Sequence, residues 1–138
     1  MESSRQSPNH PTERARMAEK VAAEVVKADA AIMSLMVLDV GDGGKVLAVA
    51  RSPTMAPHEH ATPAMVQKFA IAAVVVWGAA RQAAELMGRR EFIVGAFSEQ
   101  LVLLADLKEF DMLLAIRLNR SSNAEHVYSK VASLLGLH

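Results

Sequence analysis

Cysteine is missing from all 138 residues, which excludes a disulfide framework, thiolate metal sites and a cysteine nucleophile together. Net charge is missing too: fifteen Lys and Arg balance fifteen Asp and Glu, so no basic footprint favours nucleic acid or an anionic membrane. Aromatic residues make up only 4%, and the lone Trp77 and Tyr128 lack the basic surroundings of a base-stacking surface, which marks them as packing groups. The first residues, MESSRQSPNHPTER, hold no apolar stretch of signal-peptide length. The longest unbroken apolar or glycine run, Phe69 to Ala80, is bounded by Lys68 and Arg81 and is short for a bilayer. These absences lead us to expect a soluble, cytoplasmic protein with no membrane insertion. Half the chain is apolar, and its length suffices for one domain with its own core.

Residues 1–11 are rich in Ser, Pro and Asn and are expected to form a disordered tail, leaving 12–138 as the domain. Thr12 is placed to cap a helix running to about Ala28, with Met17, Ala18, Val21, Ala22 and Val25 on one stripe and charges on the other side. The run Ala31 to Val40 is apolar on both period-2 faces except at Ser34 and Asp39, and KVLAVAR resumes that character after Gly41-Asp42-Gly43-Gly44. Two apolar runs around a Gly/Asp turn read as a β-hairpin covered on both faces. Pro63 suits the first turn of a helix ending near Gly88. Three short runs follow, EFIVGAF, LVLLA and MLLAIRL, and then Ser122-Asn123-Ala124-Glu125 has capping-box spacing for a last helix stopped by Gly136.

The order is αββαβββα. Five mostly antiparallel strands with two apolar faces need helices on both, so the expected architecture is a three-layer α-β-α sandwich of the α+β class. The central helix would cover one face and the two terminal helices the other.

The helix at 63–88 carries more apolar surface than one sheet face needs. At 100° per residue, Met65, Phe69, Ala72, Ala73, Val76, Ala80, Ala83 and Met87 form a stripe for the sheet, and Gln67, Lys68, Arg81, Gln82 and Glu85 mark the solvent arc. In the middle of that solvent arc stand Ile71, Val74, Val75 and Gly78. Leaving the three β-branched side chains in water forgoes roughly 1.5–3 kcal/mol each, so a second surface is expected to cover them. If two copies cross about a two-fold near Val75 to Gly78, Lys68 of one falls near Glu85 of the other.

Chemistry-bearing motifs are sparse. Gly41 to Lys45 is not a phosphate loop: Val46 replaces the hydroxyl residue and a strand follows where a helix is required. Asp39 and Asp42 lack the ligand count of a calcium site. His58-Glu59-His60 has metal-ligand character, but a proline-flanked loop does not hold both imidazoles to one side. Arg89 and Arg90 suit either an acidic partner or the negative end of the preceding helix. No constellation marks a catalytic residue, cofactor or metal site, so the expectation is a chain that is not an enzyme.

The VLDVGDGGKVLAVA hairpin, the αββαβββα order over about residues 12–136 and the long Ala-rich second helix resemble the roadblock family (dynein light-chain roadblock, or MglB-like). The longin and profilin-like folds share parts of this layout. The roadblock resemblance implies a homodimeric, non-enzymatic platform that binds or regulates a small Ras-like GTPase. It further implies that the strand at 91–97, with Phe92 and Val94, pairs with its mate. Gln67, Lys68, Ile71, Val74, Val75, Gly78, Arg81, Gln82 and Glu85 would complete the interface. Two alternatives stay open: a small-ligand sensor, for which eight methionines offer an adaptable lining, and a structural subunit of a larger complex.

Overall fold

The computed structural model describes residues 11–53 and 62–136. The expected tail, apart from Pro11, and the His58-Glu59-His60 loop lie outside the described residues. Helix α1 spans Pro11–Val25, so Thr12 lies inside it rather than capping it, the helix begins two residues before the expected Glu13, and it ends three before Ala28. Strands β1 (Ile32–Asp39) and β2 (Lys45–Arg51) form the expected hairpin. Helices α2 (Pro63–Ala79) and α3 (Arg81–Met87) follow, then β3 (Ile93–Ala96), β4 (Gln100–Leu107), β5 (Met112–Asn119) and α4 (Ala124–Leu135).

The sheet order is β2-β1-β5-β4-β3, with every neighbouring pair antiparallel. β2 and β3 are consecutive strands at opposite edges, so the chain between them has to traverse a face of the sheet. That traverse is α2. Its Ala70, Ala73 and Trp77 are buried with Met36, Leu38, Val102, Leu104, Leu113 and Ala115. α1 and α4 close the other face, where Ala18, Ala22, Val127 and Val131 meet Leu35, Val37, Leu103, Leu114 and Ile116. The three-layer architecture expected from two-sided strands is therefore what forms.

Local chemistry sets the ends of the elements. Thr62 Oγ1 accepts from the Met65 amide at 3.2 Å and Pro63 occupies the first helical turn of α2. α4 is capped one residue later than the box spacing suggests: Asn123, not Ser122, accepts from the His126 amide, while Ser122 donates to the Asn119 carbonyl. Gly136 ends α4 in the left-handed conformation, as expected. In the hairpin turn Gly44 is buried with φ +96°, and a Cβ there would stand 3.1 Å from the Ala70 carbonyl oxygen. Only glycine lets α2 lie so close. Arg14 clamps α1 to both lower turns, pairing with Asp39 at 3.2 Å and donating to the Phe110 carbonyl at 2.9 Å.

The single helix expected over 63–88 is two, interrupted at Ala80, whose ψ of −6° departs from the helical value of about −42°. Taken together, 63–87 is long and apolar enough by length and composition to cross a membrane, more than the count of one unbroken run suggests. In the fold, one side of that stretch is committed to the sheet through Ala70, Ala73 and Trp77.

Candidate interaction surface

The side of α2 buried on the sheet selects which side is left over. Because Trp77 and Ala70 turn inward, the helix is rotated relative to the predicted stripe. Val76, expected against the sheet, is 48% exposed, as is most of Met65, whereas Val74, expected at the seam, is half-buried beside Gly44 and Val46. The physical reason is volume: the indole of Trp77 is the largest apolar group on the helix, and burying it outweighs keeping Val76 covered.

The exposed face is still apolar. Ile71 and Val75 are exposed, the latter by 62%, and with Ala79 they form one ridge at i, i+4 spacing; Lys68, Ala72 and Val76 form the next. Gly78 is exposed with open space where a side chain would stand. Gln67, Arg81, Gln82 and Glu85 are also exposed and flank these ridges. The break at Ala80 separates Lys68 from Glu85, so their predicted rim pairing no longer rests on one continuous helix.

The strand proposed to pair with a mate is the outermost strand β3, shorter than the predicted 91–97. Val94 is exposed on it. Phe92 precedes it and is half-buried, its ring 4.5 Å from that of Tyr128 on α4, so it packs with the chain's own core. The two sheet edges differ in protection: β2 bears Lys45 and Arg51, whereas Ile93–Ala96 carries no charge. An uncharged edge is the one prone to pair. Leu86 and Met87 at the end of α3 are exposed by 89% and 79%.

Arg90 resolves one of the two readings of the arginine pair. Its guanidinium lies 4.4 Å over the Trp77 ring and donates to the Trp77 carbonyl, one of the unsatisfied acceptors near the end of α2. Asp39 is held by Arg14, and within the hairpin turn Gly44 alone packs beneath α2 while Gly41, Asp42 and Gly43 are exposed. Among the described residues no group of three or more His, Asp or Glu is placed to hold a metal.

A five-stranded antiparallel sheet, crossed on one face by α2 and backed on the other by the two terminal helices, defines a three-layer α+β domain. Solved structures share that arrangement. A Roadblock/LC7 domain from Streptomyces avermitilis superposes with a TM-score of 0.65 at 16% identity, covering 86% of this chain and 92% of that one. The gliding protein MglB from Thermus thermophilus gives 0.61 at 18% identity over 93% of each chain. An MglB described as having a tetrameric arrangement gives 0.65 at 20% identity, covering 92% of this chain and 88% of that one. No family model matches the sequence, and no curated protein matches it either. In its fold, the chain is a roadblock-like domain.

Proposed function

We propose that this protein is a homodimeric interaction module, joined through the outer face of α2 and the free edge of β3, that serves as a cytoplasmic platform for a small Ras-like GTPase. The single observation that carries the dimer is the apolar face of Ile71, Val75 and Val76, left in solvent by a helix whose other side is already packed. Covering it removes the cost of that exposure, and pairing β3 with its mate satisfies an unprotected strand edge. The GTPase rests on the resemblance of fold and hairpin to the roadblock and MglB-like family, whose members act as such platforms. No chemistry of its own is required, because a platform works by orienting or reordering groups of the partner.

Affinity capture from native lysate with the GTP and GDP states held by analogues tests the partner. Enrichment of a Ras-like GTPase in one nucleotide state is the expected result. A stable partner indifferent to nucleotide would favour the structural-subunit alternative, and a monomeric chain at high micromolar concentration would overturn the dimer.

A further inference from the structure

At the rim where α1 and α4 meet the β4–β5 turn, a cavity of about 360 Å³ opens, away from the exposed face of α2. Its volume falls in the range of small-molecule sites, about 300–1,000 Å³. Val21, Leu107, Leu135 and the Tyr128 ring supply an apolar and aromatic wall. Tyr128 is backed by Phe92, so its ring is fixed in place.

Charged groups of both signs border this wall. Arg89 and Lys108 line the same cavity as Glu91, Asp106 and Glu109, yet among the described residues none of the five enters an ion pair. Arg90, which also lines it, is engaged by Trp77. Asp106 is half-buried, where an uncompensated carboxylate is costly. Charges of both signs border one small cavity with an aromatic wall, and they suit a ligand that carries both signs on a compact body. A purely anionic or purely cationic ligand would leave one set facing its own sign.

We infer that this cavity is a binding site for a free α-amino acid, its carboxylate directed to Arg89 and Lys108, its ammonium to Asp106 and Glu91, and its side chain against Tyr128. The inference stands apart from the proposed dimer and GTPase roles, since it uses none of their residues. The cavity does reach α2 through Arg90, so occupancy has a route to the only tryptophan.

The test is a titration of the isotopically labelled full chain, followed by amide shifts, with L-phenylalanine, L-leucine, L-arginine and L-glutamate as probes. At least one should give saturable shifts at Val21, Leu107, Tyr128 and Gly136. For an aromatic binder, phenylacetate and phenethylamine, each lacking one charge, should bind at least about tenfold more weakly, the scale of one lost charge-assisted hydrogen bond. Asp106→Asn and Arg89→Gln should each weaken binding similarly while keeping dispersed, folded spectra. Absence of saturable shifts with all the amino acids, equal binding of a singly charged analogue, or undiminished binding by either variant would overturn the inference.

Discussion

Replacing Val75 with aspartate should leave the fold intact and abolish self-association. Val75 is 62% exposed in the single chain, so covering it against a mate contributes about 1–2 kcal/mol per copy on the 1.5–3 kcal/mol scale of a fully buried valine. A two-fold seam counts the residue twice, giving about 2–4 kcal/mol, or a dissociation constant raised about 30-fold or more. Two carboxylates facing each other near the axis add desolvation and like-charge cost to that figure. The monomer should be indifferent, because an exposed substitution away from caps and core changes stability by about 0.5 kcal/mol or less. Size-exclusion chromatography with light scattering over a concentration series reads the mass, and a circular dichroism melt reads the fold. Leu134→Asp, on α4 and exposed on the other side of the sheet, is the control that should remain dimeric. A Val75→Asp chain still dimeric at the parent's concentration would refute the seam, as would dissociation by the Leu134 control alone.

Gly44→Ala should lower the urea midpoint, the strained φ alone costing about 1–3 kcal/mol before the overlap with the Ala70 carbonyl is counted. Arg14→Ala should cost about 1–3 kcal/mol in the same assay, because it removes a largely buried partner of Asp39 and the donor to the Phe110 carbonyl together, and Arg14→Lys should recover only part. The Asp29 carboxyl is held below its ordinary value of 3.8 by the Ala31 amide and, next, by Lys130. A lowered folded value means stability that is complete above the unfolded value and is lost as pH falls through the folded one, so thermal melts should drop below about pH 4, and Asp29→Asn should flatten that drop.

The sheet was legible because its signal is redundant. Apolar residues on both period-2 faces of 31–40, 101–105 and 112–118 demand two covering layers, and short polar turns demand antiparallel neighbours. The edge-to-edge course of α2 then follows from having a helix between the second and third strands. The orientation of α2 was not legible, for a physical reason: a helix apolar nearly all round has no preferred face in sequence. Val74 and Val76 are interchangeable by hydrophobicity, and only the bulk of Trp77 against Ile93 and Leu104, with the close approach at Gly44, chooses between them. The interruption at Ala80 has no proline to announce it, only Gly78 two residues before, a residue that a helix interior tolerates at modest cost. At α4 both Ser122 and Asn123 are competent caps, and the choice of Asn123 lies in backbone geometry. The rim cavity was invisible because its walls come from α1, the stretch before β3, the β4–β5 turn and α4.

The contrast between the helices makes the apolar face of α2 more than a compositional accident. α1 turns Glu13, Arg16, Glu19, Lys20 and Glu24 to solvent, and α4 turns Glu125, Ser129 and Lys130, so the same chain dresses two helices with ordinary polar exteriors. On α2 it places Ile71, Ala72, Val75, Val76 and Ala79 there instead, with polar groups only toward the ends. Such a face costs solubility unless it is covered. The covering surface has to be apolar and ridged at the same spacing, and a second copy of α2 meets both conditions by construction. Arg90 then sits at a junction: it caps and stacks on the inward side of α2 while bordering the rim cavity. A change in that cavity that moved Arg90 would act first on Trp77, the group that sets the rotation of α2, and hence on which valines the second copy meets.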